Sequence, residues 1–520
     1  MAEERSDEAP EEQTTIARLL LRCEDAGGPA HEYVKSNPDN PNPPVPIDSQ
    51  GDEIFVVSDL HLADGLGPDG RYGGNENFFC DSSFRRFLSQ AHTKRGSTNA
   101  VLIINGDFVD FLRVMYVPRE DPLLVDWQEI LERVGIRKTI AQLKASISKK
   151  ELTYGLKTND FKSVLRLHIV IRGHAEFFEA LAEWLGKGHR LIIVKGNHDL
   201  EWYWQGVRNY LRLVLAERLA RQMNIVDIKD VLENRVLPNI TFVDDALVID
   251  EDVYIEHGNR YDKYAHVVGP STLKNEEREL NIPFGSFLNR YVLNDIELNY
   301  PFLDNVRPST NILPLLMRER LPLALKLLFK HIPFVIEIIP KGYYRYMFSQ
   351  VFSLFLVVLV LAGFIAWQIP GIFGHGLDLL TTPSQPQSIL HKSVFTVLTS
   401  IGSSVLAYFI ARAVARLNLV EPSDLTKYAR EKFAEKSNYR LVTFGHTHNP
   451  DQFNENGRWF YNTGTWIPVV EISSAELRED KTYTFLHLAP DASGKLSGIL
   501  QRWDDEAGRP EPAIVIKPGA

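Results

Sequence analysis

Five places along the chain carry side chains able to hold a metal ion, each at the end of an apolar run. They are Asp59 and His61 after Ile54–Val57, Asp107 after Val101–Ile104, and Asn197 with His198 after Arg190–Val194. His257 follows Val253–Glu256, and His446 with His448 follows Arg440–Phe444. Glycine flanks most of them, which allows close approach of the backbone. A single Asp-x-His after a strand is equally the mark of a cap or a turn. Five such strand ends in series, all bearing nitrogen or oxygen donors, are not a set of caps. Carboxylate, imidazole and amide oxygen without thiolate suit manganese, iron(II) or zinc, and argue against an iron–sulfur cluster or a closed structural zinc site. These eight residues are too many for one tetrahedral ion, and seven of them divide between two if a carboxylate bridges. Two ions about 3.5–4 Å apart can clamp the attacking and non-bridging oxygens of a phosphoryl centre and supply hydroxide at neutral pH.

The elements that must position these residues are short runs of Val, Ile, Leu and Phe, the pattern of buried strands. Ligands in open α/β sheets gather outside the carboxyl ends of strands, which is where all five turns fall. A mostly helical region, Trp127 to Gly186, separates the second and third runs, and a helix containing Tyr210 to Leu219 follows the third. Further strands are expected at Ile240–Val243, Ala246–Ile249, Arg458–Tyr461, Thr482–Leu488 and Leu496–Trp503. The fold class is therefore α/β (α+β).

At 520 residues the chain exceeds a single ordinary core, so more than one domain or a large insertion is expected. Its net charge is −10, and half of it comes from the first twelve residues, where six acids face Arg5. The remaining body is mildly acidic, which is no footprint for nucleic acid. Cys23 and Cys80 are the two cysteines; they make neither a disulfide framework nor a zinc motif. An acidic N-terminus without an apolar stretch reads as lacking a secretory signal. Residues 1–50 read as a disordered acidic and Pro-rich segment, dispensable to the fold before about Pro46 apart from a short helical pattern near Ile16 to Leu21.

Two stretches depart from the globular pattern. Tyr346 to Ile369 and Ser393 to Ala411 contain no charged residue, and each approaches the roughly 20 residues that span a hydrocarbon core. Lys341 and Arg345 precede the first, while Arg412 and Arg416 follow the second. That asymmetry places both outer ends on the cytoplasmic side. The expectation is a two-helix membrane hairpin at 346–412 with the catalytic domain facing the cytoplasm. A pair of buried helices in a soluble core is the alternative. Segment 313–340 reads either as interfacial helix on the headgroups or as a surface helix of the domain. His257 and His446 must share one centre across this insertion, so any membrane crossings between them must be even in number.

The blocks D-x-H, G-D, G-N-H-D, H-G and G-H-T-H, in that order, resemble the calcineurin-like metallophosphoesterase superfamily. The resemblance implies a two-sheet sandwich flanked by helices, here with an inserted transmembrane hairpin. Its parts would be a catalytic first part at 51–260 with a helical insertion at about 112–189, an insertion at 261–345, the hairpin at 346–412, a catalytic second part at 437–505 and a tail at 506–520. It implies that Asp59, His61 and His448 hold one ion, that Asn197, His257 and His446 hold the other, and that Asp107 bridges. The ions would be two divalent metals, manganese first, with iron or zinc as alternatives. His198 would act on the leaving oxygen or the transition state rather than as a ligand, oriented by Asp110. Protein phosphatases of the superfamily carry Arg and Glu where this chain has Phe111 and Asp199, which argues against a phosphoprotein substrate. Ser58–Leu62 and Gly445–Pro450 are similar to UDP-2,3-diacylglucosamine pyrophosphatases, although those usually have Arg in place of His198. The expected function is a membrane-anchored hydrolase of a phosphodiester or diphosphate, nucleotide- or lipid-linked, with the lipid bilayer as partner. A non-catalytic adaptor, a nuclease and a phosphomonoesterase are the alternatives. Trp127–Gly186 could be a lid over an acyl chain or a packing subdomain.

Overall fold

The computed structural model describes residues 9–21, 43–91, 99–273, 276–294, 306–307, 424–471, 476–477, 481–513 and 515. The chain divides into two compact units, Met1–Arg307 with Pro422–Ala520, and Pro308–Glu421. The second unit lies outside the described residues, and with it the expected hairpin at 346–412 and the segment 313–340. Among the described residues no helix is long and apolar enough to cross a membrane.

Two sheets face each other. The first is built from β2 (Glu53–Val57), β3 (Ala100–Asn105), β4 (Arg190–Val194) and β5 (Ile240–Val243), paired in parallel. β11 (Thr484–Pro490), β12 (Leu496–Asp504) and β13 (Arg509–Pro512) extend it antiparallel, in the order β13-β12-β11-β2-β3-β4-β5. The second sheet runs β1-β6-β7-β8-β10-β9, where β1 is Val45–Ile47, β6 Ala246–Ile249, β7 Val253–Glu256, β8 Leu441–Phe444, β9 Asp451–Glu455 and β10 Arg458–Asn462. The period-2 alternation of strands divides each one between two cores. Ile54, Val56, Val101, Ile103, Ile192 and Val194 meet Leu247, Ile255 and Leu441 between the sheets. Phe55, Val57, Leu102, Ile104, Leu191 and Ile193 face helices instead.

Those helices are α2 (Asp81–Ala91), α6 (Ala175–Gly186) and α7 (Gln205–Met223), which contribute Phe84, Phe87, Phe177, Phe178, Tyr210 and Leu211. The region expected to be helical is so, through α3 (Asp121–Glu132), α4 (Ile140–Ser146) and α5 (Asp160–Gly173). Trp127 and Phe161 stack with ring centroids 5.7 Å apart, inside the same core as Phe55. This region is thus largely a packed layer. On the other outer face, α8 (Leu425–Glu435) sets Leu425, Ala429 and Phe433 on Tyr254, Val442 and Phe460, at the i, i+4, i+8 spacing of one helical face.

Both chain ends correct the expectation. α1 (Ala9–Leu21) buries Ile16, Ala17 and Leu20, and Leu20 O accepts from Asn209 Nδ2 at 2.8 Å. β1 pairs in parallel with β6. Segment 1–50 therefore contains two elements of the fold, because a single apolar face of Ile16 and Leu20 is enough to dock a short helix. Leu20→Ala is expected to cost about 2–5 kcal/mol, read as a lower melting temperature; an unchanged melting curve would return the segment to dispensable status. At the other end, Arg509–Pro512 is an edge strand and not a tail, tied by Arg502 Nη1 to Glu511 at 2.7 Å. Pro510 and Pro512 mask it in the sequence, and an edge is where a sheet tolerates proline.

Candidate metal centre

Parallel register brings three of the five turns to one level. Val57 pairs with Ile104, and Ile104 pairs with Ile193. Beyond the sheet the first two turns continue to pair. Asp59 N donates to Gly106 O (3.2 Å), His61 N to Asp107 O (2.9 Å) and Leu62 N to Phe108 O (3.1 Å). In the second sheet Thr443 pairs with Ile255, and Gly445 N donates to His257 O at 2.9 Å. The two sheets meet where His446 N donates to Asp59 Oδ2 at 3.0 Å. Asp59, His61, Asp107, His446 and His448 all sit at positive φ, between 51° and 68°. Such backbone costs on the order of 1–3 kcal/mol per residue, and it gathers where side-chain aim matters more than stability. Two glycines make room: a Cβ at Gly106 would strike the His257 ring, and one at Gly196 would strike the Asp107 carboxylate.

The side chains form two groups that share Asp107's neighbourhood. In the first, His448 Nε2 lies 3.3 Å from Asp59 Oδ1 and 3.0 Å from His61 Nε2. In the second, Asp107 Oδ2 lies 3.1 Å from His257 Nε2, with His446 completing the set. Donor atoms within each group are all within 4.8 Å of one another. Asp107 Oδ2 is also 3.8 Å from His61 Nε2 of the first group, so it stands between the two. His257 Nδ1 donates to Asn105 O at 2.8 Å. A carbonyl can only accept, so Nδ1 carries a proton, and Nε2, facing Asp107, is the nitrogen left to bind a cation.

These residues suit a pair of divalent cations. Asn197 Oδ1 is buried without a hydrogen-bond partner, where buried polar atoms are normally satisfied, and Asp59 Oδ1 and His257 Nε2 face the His448 ring and the Asp107 carboxylate of their own groups. All three are aimed inward, and a cation satisfies them. Charge balance points the same way. Burial would raise the Asp59 carboxyl, but the His257 and His448 charges outweigh it and hold its pKa at about 2. Burial likewise opposes a charge on His257, yet without a cation Asp107 and Asp59 push its pKa up to about 10, so the carboxylates hold at Nε2 a proton whose place a metal ion would take.

Beside the groups stands the pair expected from the sequence. His198 Nδ1 is 2.8 Å from Asp110 Oδ2. The same Oδ2 takes His61 Nδ1 at 3.1 Å and lies 3.2 Å from Arg113 Nε. One carboxylate thus aims both a donor of the first group and the imidazole next to it. Burial disfavours the His198 cation, but Asp110 and Asp107 outweigh burial and raise its pKa to about 9. His198 N donates to Asp107 Oδ1 at 2.8 Å, which ties its turn to the shared carboxylate. A third grouping of His61, Asp107 and His198 also satisfies the donor distances, and only a variant of His198 distinguishes ligand from neighbour.

Other residues that support the site carried no signal in the sequence. Glu76 pins the turn after His61 by accepting from Gly65 N (2.7 Å), Phe78 N (2.7 Å) and Ala63 N (3.2 Å), and it meets His174 Nε2 at 3.0 Å. Asp199, singled out only as a departure from protein phosphatases, clamps two turns together. It accepts from Gly196 N at 2.6 Å, Phe108 N at 2.9 Å and Trp202 Nε1 at 3.0 Å. Asp262 Oδ2 lies 3.3 Å from His446 Nε2.

Comparison with protein families matches residues 53–313 to calcineurin-like phosphoesterase. That span is half of the chain. The chain belongs to the calcineurin-like phosphoesterase family. It is accordingly a hydrolase of phosphoester bonds, in a family that uses divalent metals. No curated protein matches it. His446 and His448 lie beyond the matched residues, and it is the parallel pairing of β8 with β7 that carries them to the phosphoesterase centre.

Proposed function

We propose that this phosphoesterase is a dinuclear, metal-dependent hydrolase of phosphodiesters or diphosphates, held at a membrane with its catalytic unit on the cytoplasmic side. The observation that carries the reading is the convergence of Asp59, His61, Asp107, His257, His446 and His448 into two groups with Asp107 between them. Asn197 joins the second group in this reading through its unsatisfied Oδ1. When bound, two divalent ions supply positive charge against the phosphoryl oxygens and lower the pKa of the attacking water. The remaining chemistry belongs to His198. Asp110 holds its Nδ1, so Nε2–H is left to donate to the phosphoryl group or to the leaving oxygen. Water adds to phosphorus and gives up a proton to solvent, the bond to the leaving oxygen breaks, that oxygen takes the Nε2 proton, and His198 regains one from solvent. In this reading His198 is not needed to hold an ion, which disfavours a non-catalytic adaptor.

The finer statements rest on the sequence. The likeness of Ser58–Leu62 and Gly445–Pro450 to nucleotide–lipid pyrophosphatases supports a diester or diphosphate, and manganese suits the donor set first. The uncharged stretches 346–369 and 393–411 support a membrane hairpin. The His257 and His446 rings are 5.3 Å apart between centroids, so a hairpin is compatible with the centre and a single crossing is not. A hydrolysis screen of nucleotide-diphosphate lipids, phospholipids, cyclic nucleotides and phosphomonoesters tests the substrate class. Turnover of phosphomonoesters alone would remove the diester reading. Carbonate extraction of cell membranes tests the anchor, and release of the chain into the soluble fraction would remove it.

A further inference from the structure

We propose that Asp262 is the positioning residue of the second metal group, and that it makes His446 present Nδ1 rather than Nε2 to the ion. The inference rests on the two-ion reading of the centre. His446 Nε2 lies 3.3 Å from Asp262 Oδ2, and an ionised carboxylate only accepts, so the ring proton sits on Nε2 and the lone pair on Nδ1. His257, in the same group, is fixed in the opposite sense by the Asn105 carbonyl. The two imidazoles meet nearly edge to face, with ring planes 73° apart, and offer different nitrogens to one point.

Asp262 is built to hold this role. It ends the turn Asn259–Tyr261 that begins at Gly258, where φ is 103°. Its Oδ1 is occupied by Tyr264 N at 2.8 Å, and its carbonyl accepts from Ala265 N (3.0 Å) and His266 N (3.1 Å). The other carboxylate oxygen is thereby fixed toward His446. The side chain is only 15 % exposed, so water competes little for that oxygen. The first group has a counterpart in Asp110, which holds His61 Nδ1 at 3.1 Å. Each group thus has one imidazole backed by a carboxylate, an arrangement that fixes the tautomer and raises the basicity of the ligand. The two carboxylates differ in reach: Asp110 also serves His198, whereas Asp262 serves the second group without touching the proton donor.

The test is metal binding by the full-length chain, stripped and titrated with Mn²⁺, with stoichiometry from elemental analysis and affinity from calorimetry. Asp262→Ala should weaken one of two ions by ~10–100-fold, the range typical for such partners, and leave the other unchanged. The Mn²⁺ electron-spin signal should shift from a coupled pair toward a single ion at equal loading. Asp262→Asn, which preserves the size of the side chain, should weaken the same ion by a smaller factor. Two ions bound as tightly in Asp262→Ala as in the unaltered chain would overturn the inference and leave the proposed function standing. Equal weakening of both ions in Asp262→Asn would show a role in the fold alone and would also overturn it. Fewer than two ions in the unaltered chain would instead bring down the two-ion reading, and this inference with it.

Discussion

Asp107→Ala is expected to release both metal ions and to cut turnover by ~10³-fold or more. Asp107 faces donor atoms of both groups, with Oδ2 at 3.1 Å from His257 Nε2 and 3.8 Å from His61 Nε2. Its other oxygen anchors the turn that carries Asn197 and His198. Removing it deletes the shared donor and loosens a third strand end at once. Metal-assisted phosphoryl transfer draws several kcal/mol of its barrier lowering from the ions. At 1.36 kcal/mol per tenfold, a loss of about 4 kcal/mol corresponds to ~10³ in rate. Elemental analysis and initial rates on one preparation check both halves of the expectation. A variant that retains two ions would show that Asp107 does not bridge.

His198→Ala is expected to behave in the opposite way toward metal. Its imidazole is committed through Nδ1 to Asp110, so the variant should keep both ions while turnover falls ~10²–10⁴-fold, the usual contribution of a positioned acid. The loss should be largest for an alkyl leaving group and smaller for p-nitrophenolate, which departs without a proton. Protonation at neutral pH suits this role, because Asp110 and Asp107 overcome burial and bring the imidazole's pKa to about 9. Loss of an ion in this variant would make His198 a ligand, as the third donor grouping allows, and would remove it from the role of acid.

The contrast between these two residues shows what the sequence could and could not reveal. Strand ends were legible because β2, β3, β4, β7 and β8 are mostly apolar runs followed closely by donors, and the apolar run is what buries a strand on both faces. Asp110 was legible through the family resemblance, which implies an orienting carboxylate three residues after Asp107. Asp262 was not, since its meaning arises only where it meets His446, 184 positions away. Glu76 and Asp199 act on backbone N–H groups, and a sequence does not say which amides lack a partner. β9, Asp-Gln-Phe-Asn-Glu, has too little apolar alternation to be read as a strand, and pairing with β10 supplies what its composition lacks. The docking of α1 was missed for another reason. Its acidic first turns resemble a solvated tail, while the docking surface is one narrow face, Ile16, Ala17 and Leu20.

The most direct test of the account is a titration of the metal-stripped, full-length chain with Mn²⁺, followed by hydrolysis of a phosphodiester with an alkyl leaving group. The rate should rise from background and level off at two equivalents of metal, and His198→Ala should stay well below it at the same loading. Absence of turnover at every loading, or turnover indifferent to metal and to His198, would contradict the account.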